Sequence, residues 1–246
     1  MAFDDRDDAD DVSSDADRSA GIRATQEFYT RYARLYDLIA RHTPGVERLR
    51  AAVVDALDPG RGDVVVEMGC GTGANFPKLR ERVGRGGIVV GVDVAPGPLA
   101  IARERIARAG WHNVHVVRGD AARPPIDDAD AVLATFLSGM LTEPAAAVET
   151  WADLVGPGGR LALLDLGRTA RPLARPLNLP FRALVRASAP PGSGERHGAS
   201  PTHALDRRLL AAHRELDRVC EDVTRGTRTL GFARVAGGRV VGTEER

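Results

Sequence analysis

The chain has 246 residues, of which 43% are hydrophobic, and it carries equal numbers of acidic and basic side chains. Its length supports one substantial core, while no apolar run approaches the roughly 20 residues of a membrane-spanning helix. The first twenty residues lack the apolar core of a secretion signal, and two cysteines, Cys70 and Cys220, give neither a disulfide framework nor a metal-ligand cluster. These features predict a cytoplasmic protein without a metal site.

An acidic segment opens the chain. Its first twenty residues hold eight aspartates against two arginines. A like-charged segment of such low hydrophobicity cannot offset the entropy lost on ordering. We therefore predict that residues 1–22 form a disordered acidic tail.

Two helices are predicted before the first strand. Residues 24–41 place aromatic and apolar side chains at near-helical spacing, and residues 46–57 follow the breaker Pro44-Gly45. Because both precede the first strand, we expect residues 23–58 to supply cap helices that can cover a pocket.

Strands alternate with helices from residue 64 to residue 166. This alternation is typical of a parallel, doubly wound sheet. The predicted strands are 64–68, 88–93, 114–117, 131–134 and 160–166, and the predicted helices between them are 74–83, 98–109 and 143–154.

The end of the chain departs from this alternation. A proline- and arginine-rich stretch, residues 168–201, reads as a variable insertion before a helix at 204–219. Extended runs at 232–236 and 239–241 flank Gly237-Gly238, which predicts an antiparallel hairpin. The predicted fold is thus α/β, a Rossmann-like, doubly wound, mostly parallel sheet that ends in an antiparallel hairpin.

A glycine-rich turn after the first predicted strand carries the strongest functional signal. Gly69, Gly71 and Gly73 remove side chains from a turn whose backbone can then lie against a ligand. With Ala74, the spacing also satisfies the dinucleotide fingerprint, which predicts an NAD-dependent oxidoreductase. Glu67 argues against that alternative, because a carboxylate at the strand end repels a pyrophosphate and suits a cationic ligand.

The run Glu67-x-Gly69-x-Gly71-x-Gly73 resembles motif I of the class I S-adenosylmethionine (SAM) methyltransferases. The resemblance covers most of residues 25–243 and implies a seven-stranded sheet and one SAM-dependent methyltransferase domain over residues 23–246. It also implies that SAM is the cofactor and that the backbone of the turn approaches its methionine portion.

Further positions of the family's cofactor site match residues after later strands. Asp93 matches the acid that accepts hydrogen bonds from the ribose hydroxyls, or else it caps the next helix. Val94 matches the apolar neighbour of the adenine face. The resemblance implies that Asp120 accepts from the adenine amine, that Ala121 donates a backbone bond, and that Thr135 faces the cofactor.

The methyl acceptor is implied by an aromatic region before the first strand and by one residue after the fourth. Residues 28–37 resemble the aromatic helix of the menaquinone/ubiquinone C-methyltransferases and their small-molecule and phospholipid relatives. The resemblance implies acceptor contacts at Tyr29, Tyr32, Tyr36 and Phe136, although packing in the core is the alternative for each. The expected acceptor is small or lipid-like, with a quinone-like molecule as its most specific form.

Other partners and roles are narrowed by what the sequence lacks. Residues 134–137 lack the Asn/Asp-Pro-Pro-aromatic motif of amino-directed nucleic-acid methyltransferases, so no nucleic-acid partner is expected. Transfer from an activated sulfonium needs alignment more than a base, and no catalytic residue is assigned. A SAM-binding protein without catalysis remains an alternative.

Arginines and apolar side chains interleave over residues 168–196. Such a segment can form a lid that touches anionic lipid headgroups, which predicts a peripheral membrane contact. The alternative is a solvated helix that covers the sheet.

Overall fold

The computed structural model describes residues 45–188, 201–242 and 244. The predicted acidic tail, the first cap helix with Tyr29, Tyr32 and Tyr36, and the end of the arginine-rich segment lie outside the described residues. The division of the chain into tail, domain and insertion therefore stays a prediction.

The described residues form a single sheet of seven strands, and the apolar sequences of its central strands suit burial on both faces. The seven strands are β1 (Val64–Met68), β2 (Ile88–Asp93), β3 (Val114–Arg118), β4 (Ala131–Thr135), β5 (Arg160–Leu166), β6 (Cys220–Arg228) and β7 (Ala233–Val240). Their order is β3-β2-β1-β4-β5-β7-β6, with β1 to β5 parallel and β7 antiparallel to both of its neighbours. The predicted Rossmann-like α/β fold with an antiparallel C-terminal end is confirmed.

The described residues form six α-helices, and five of them pack on the two faces of the sheet. The six helices are α1 (Val46–Leu57), α2 (Phe76–Val83), α3 (Pro96–Ala109), α4 (Pro144–Val155), α5 (Asn178–Ser188) and α6 (Pro201–Val219). Helices α1, α2 and α3 share one hydrophobic cluster with one face of the sheet, and α4 and α6 share a second cluster with the other. Of the two predicted cap helices only α1 is described, and it packs along β4, β5 and β7.

The predicted position of the C-terminal hairpin was wrong. Gly237 and Gly238 lie inside β7, whose partner is β6, and a short 3-10 turn at Thr229–Gly231 joins the two strands. A Cβ on Gly237 would stand 2.4 Å from the Ala56 carbonyl oxygen of α1, and one on Gly238 would stand 2.9 Å from the Cys220 Cβ. These glycines therefore permit close packing and do not form the turn.

The strand order places a crevice at the carboxyl edge of the sheet. β1 lies between β2 on one side and β4 on the other, so the chain's progression across the sheet reverses there. In open α/β sheets, ligands bind outside the carboxyl ends of the strands at this reversal.

None of the helices in the described parts of the chain has the length and apolar character needed to cross a bilayer.

Candidate cofactor site

The glycine turn that follows β1 has a backbone conformation that residues other than glycine rarely adopt. Gly69, Gly71 and Gly73 have φ angles of +64°, +55° and +70°. A Cβ on Gly69 would approach the Leu137 side chain to 2.9 Å, and one on Gly73 would lie 2.3 Å from the Phe76 ring. Around Gly71, by contrast, no atom of the described residues lies within 4 Å of that position. Gly71 therefore exposes its backbone to open space, as a ligand cradle requires.

Asp93, the last residue of β2, is hydrogen-bonded to this turn. Its carboxylate accepts hydrogen bonds from the backbone N–H groups of Gly71 and Ala95, each at 2.8 Å. The contact with Ala95 closes a local turn just before α3, whose N-cap makes no side-chain capping hydrogen bond. Burial raises the pKa of Asp93, whereas these backbone donors lower it. Each carboxylate oxygen has a second lone pair, so the acid can hold the turn and still accept from a ligand.

Glu67, the second-last residue of β1, carries a buried carboxylate. Asn75 donates from Nδ2 to Glu67 Oε1 at 2.5 Å and to Thr135 Oγ1 at 3.1 Å, and the Thr135 hydroxyl lies 3.4 Å from the same Glu67 oxygen. Glu67 is 1% exposed, and its Oε2 atom has no hydrogen-bond partner among the described residues. Buried polar groups are nearly always paired, so this oxygen marks a place for a donor.

Burial controls the charge of Glu67. Loss of solvation raises its pKa from an ordinary 4.5 to about 7, although Asn75, the Arg50 charge and Thr135 each act to lower it. The acid therefore changes charge near neutral pH. A cationic ligand beside it would favour the charged form.

Arg50 reaches the same site from α1. Its Nη1 donates to Asn75 Oδ1 at 2.9 Å, and its Cζ lies 5.9 Å from the centre of the Phe136 ring. The residue is only 5% exposed. Asn75 thus links a buried cation to a buried acid.

Sequence reasoning did not identify Arg50 or Asn75. Arg50 lies beside Leu49 and three residues before Val53, inside the apolar stripe of α1, and a charge in such a stripe is the signal that could have found it. Asn75 immediately precedes α2 and follows the glycine turn.

The end of β4 contributes two predicted residues. Thr135 is buried against Glu67 and Asn75, as described above. Phe136 follows with a φ of +59°, and its backbone N–H donates to the Leu164 carbonyl at 2.6 Å. A non-glycine residue held in the left-handed region costs on the order of 1 kcal/mol or more, and such strain clusters at functional sites.

The turn after β3 lies beside Asp93. The Gly119 N–H donates to the Asp93 carbonyl at 3.0 Å, and Asp120 Oδ1 accepts from the Ala122 N–H at 2.9 Å. The buried Trp151 indole donates to the Ala121 carbonyl at 2.7 Å and fixes the turn from the α4 side.

Val94 completes the predicted set, and it is half-buried directly after β2. The structure therefore gathers the described candidates at one edge of the sheet.

The site fits a ligand with a zwitterionic end. Gly71 supplies an open backbone position, and Glu67 supplies an unpartnered buried oxygen for an ammonium group. Arg50 supplies a positive charge that is connected to Glu67 through two hydrogen bonds of Asn75. Across the described residues, no cluster of His, Cys, Asp and Glu could hold a metal ion.

The fold is shared with a solved structure from Thermotoga maritima. That protein is described as a SAM-dependent methyltransferase, possibly a histamine N-methyltransferase. The match has a TM-score of 0.60 at 16% identity and covers 87% of this chain and 98% of that one.

Sequence comparison gives the family. A family model for a methyltransferase domain matches residues 65–159. A demethylmenaquinone methyltransferase of Corynebacterium kroppenstedtii is 32% identical over 163 residues, which are 61% of this chain and 67% of that protein. The chain belongs to the methyltransferase family, and SAM is the cofactor that this membership implies.

A further relative is the nocamycin O-methyltransferase of Saccharothrix syringae. It is 33% identical over 193 residues, which are 75% of this chain and 64% of that protein. The chain spans about half to two thirds of the length of the first curated relatives it matches.

Proposed function

We propose that this protein transfers a methyl group from SAM to a small or lipophilic acceptor. The observation that carries the proposal is the convergence of Gly71, Asp93, Glu67 and Arg50 at the reversal point of the sheet. This arrangement offers an open backbone turn, an acid beside it, and a buried pair of opposite charges.

Each end of SAM has a proposed set of partners. Glu67 accepts from the ammonium group, and Arg50 supplies the charge that attracts the carboxylate. The backbone at Gly69, Gly71 and Gly73 lies along the methionine portion. Asp93 accepts from the ribose hydroxyls, while Val94, Asp120, Ala121 and Thr135 complete the cofactor site.

When bound, SAM supplies a methyl group already activated by its sulfonium charge. The protein's own contribution is to orient the reactants and exclude water. The surrounding structure holds Phe136 in a strained left-handed conformation beside buried Thr135, which supports a role for Phe136 in orienting the acceptor. No catalytic base is assigned.

A quinone-like molecule is the most specific acceptor that we propose. It is supported by the similarity to the demethylmenaquinone methyltransferase and by the aromatic run that contains Tyr29, Tyr32 and Tyr36. Residues 168–196 supply the proposed peripheral membrane contact. A cytoplasmic location and the absence of a nucleic-acid partner stay predictions.

The cofactor is tested by calorimetry. We expect SAM and S-adenosylhomocysteine to bind and NAD(H) not to bind. The reverse result would restore the oxidoreductase alternative.

The acceptor is tested by incubation with labelled SAM and separate lipid and polar extracts. Label in the lipid fraction supports the quinone-like acceptor, and label in the polar fraction alone contradicts it. Binding of S-adenosylhomocysteine without label in any fraction would indicate a non-catalytic SAM-binding protein.

A further inference from the structure

An exposed leucine and arginine surface follows β5. It comprises the short 3-10 helix Pro172–Leu177 and helix α5. Leu173 is 99% exposed, Leu179 72% and Leu177 45%. Several large apolar side chains exposed within one short segment are typical of a contact with a partner or a membrane.

The inner side of this segment is fixed to the protein. Thr169 donates from its hydroxyl to the Leu230 carbonyl at 2.7 Å, and Asn178 bonds the Thr169 backbone at both N–H and C=O at 3.0 Å. The rings of Phe181 and Phe232 have centroids 5.1 Å apart. Thr169 and Phe181 therefore attach this segment to the β6–β7 connection, while its leucines remain exposed.

The charge of this segment has one sign. Residues 167–188 contain five arginines and no aspartate or glutamate. Arg168 pairs with Asp206 of α6, whereas Arg175, Arg182 and Arg186 are exposed among the leucines. Basic side chains interleaved with apolar ones complement an anionic surface that has an apolar interior beneath it.

The surface also lies at the same edge of the sheet as the cofactor site. β5 and β6 run parallel to β1, so the segment after β5 and the connection after β6 both leave the sheet at its carboxyl edge. The glycine turn and Asp93 lie at that edge as well.

We propose that the leucine and arginine surface docks the protein on a bilayer rich in anionic lipid, with the carboxyl edge of the sheet toward the membrane. The arginines contact lipid phosphates while Leu173 and Leu179 enter the headgroup boundary. This inference rests on the proposed function, because it places a lipophilic acceptor and the cofactor site at one interface.

The test is co-sedimentation of the full chain with two kinds of vesicle, phosphatidylcholine alone and phosphatidylcholine mixed with phosphatidylglycerol. We expect binding to the anionic vesicles to exceed binding to the neutral ones. Arg175→Glu/Arg182→Glu should weaken the anionic binding by at least about ten-fold, since each basic residue near such a surface contributes measurably. Leu173→Ser/Leu179→Ser should weaken it without removing its preference for anionic lipid.

A matched control variant reverses two arginine charges elsewhere on the protein. Arg85 and Arg108 are exposed near the amino edge of the sheet, so Arg85→Glu/Arg108→Glu should bind vesicles like the parent protein. Equal binding to both vesicles, or equal losses in the two double variants, would overturn the proposal.

Two further measurements separate the possible failures. Calorimetry with S-adenosylhomocysteine should give the same affinity in every variant as in the parent protein. If the parent protein itself does not bind S-adenosylhomocysteine, the proposed function is contradicted instead. Sedimentation velocity should give the same mass for parent and variants. A dimer that Leu173→Ser/Leu179→Ser dissociates would identify a second copy of the chain, not a membrane, as the occupant.

Discussion

At the scale of single residues, the site depends on groups that are costly to bury. Glu67 and Arg50 are nearly inaccessible to solvent, and Asn75 lies between them with hydrogen bonds of 2.5 and 2.9 Å. Paired burial of this kind rarely increases stability compared with apolar residues, whereas removal of one partner is costly. We therefore expect these buried groups to contribute to ligand binding more than to stability.

The first prediction concerns the pH dependence of SAM binding. Because the pKa of Glu67 is raised to about 7, the acid loses its charge as the pH falls through that value. SAM affinity should therefore fall from pH 8 to pH 6, as measured by calorimetry. Glu67→Gln should bind SAM more weakly and lose most of this dependence, while Glu81→Gln on the exposed side of α2 should behave like the parent.

The second prediction concerns the open position at Gly71. Gly71→Ala and Gly110→Ala both place a Cβ at a left-handed glycine with no described atom within 4 Å. Each should lower the free energy of unfolding by about 1 kcal/mol, because the backbone strain is the same. Only Gly71→Ala should weaken S-adenosylhomocysteine binding. Equal affinities in the two variants would remove the turn from the cofactor site.

At the scale of elements, β7 shows how packing overrides a local pattern. Gly-Gly between two extended runs is a common hairpin signal, yet these residues continue through the middle of a strand. The reason is their neighbours, since the Ala56 carbonyl of α1 occupies the space beside Gly237. The turn falls instead at Thr229–Gly231, where Thr229 and Leu230 have positive φ angles.

The third prediction tests this close approach. Gly237→Ala should lower the free energy of unfolding by about 1–3 kcal/mol, because its Cβ would overlap the backbone of α1. Gly242→Ala, after the end of β7 and with no described atom near its Cβ position, should change it little. Urea denaturation measures both. Similar stabilities would mean that α1 does not pack on β7 as described.

At the scale of the whole molecule, the unliganded fold is less stable at the pH where the site becomes charged. A carboxyl with a pKa raised in the folded state holds its proton more tightly there than in the unfolded chain. Its contribution to stability is therefore full below pH 4.5 and is lost as the pH rises to about 7. Asp93, whose pKa is also raised by burial, acts in the same direction.

The fourth prediction is a difference between two pH profiles. For Glu67, a rise from 4.5 to about 7 corresponds to about 3 kcal/mol of unfolding free energy lost between those values. Urea denaturation of the parent between pH 5 and pH 8 should show this loss superimposed on that of other groups. Glu67→Gln should show a smaller loss, and parallel profiles would contradict the raised pKa.

Much of the fold could be predicted from local patterns. The runs of β-branched residues and the helices between them locate β1 to β5 because alternation in hydrophobicity is a local property. β6 was not predicted, since Cys220–Arg228 is mostly polar and exposed, as an outer strand permits.

Part of the candidate site, too, could be predicted from local patterns, and part of it could not. Glu67, the three glycines, Asp93 and Asp120 lie at strand ends or just after them, and could be predicted from their positions in a recognisable pattern. Arg50 lies 17 residues before Glu67 on a helix, and only packing of α1 on the sheet brings its guanidinium to Asn75.

The sequence by itself determined the fold class, the glycine turn and the identity of the cofactor family, because these depend on residues close together in the chain. Only the tertiary structure decided that Arg50 lies at the candidate site, that Gly237 and Gly238 lie inside a strand, and that the exposed leucines and arginines share an edge with the glycine turn. Those facts depend on which distant segments meet, and contact between them is set by the packing of the whole chain.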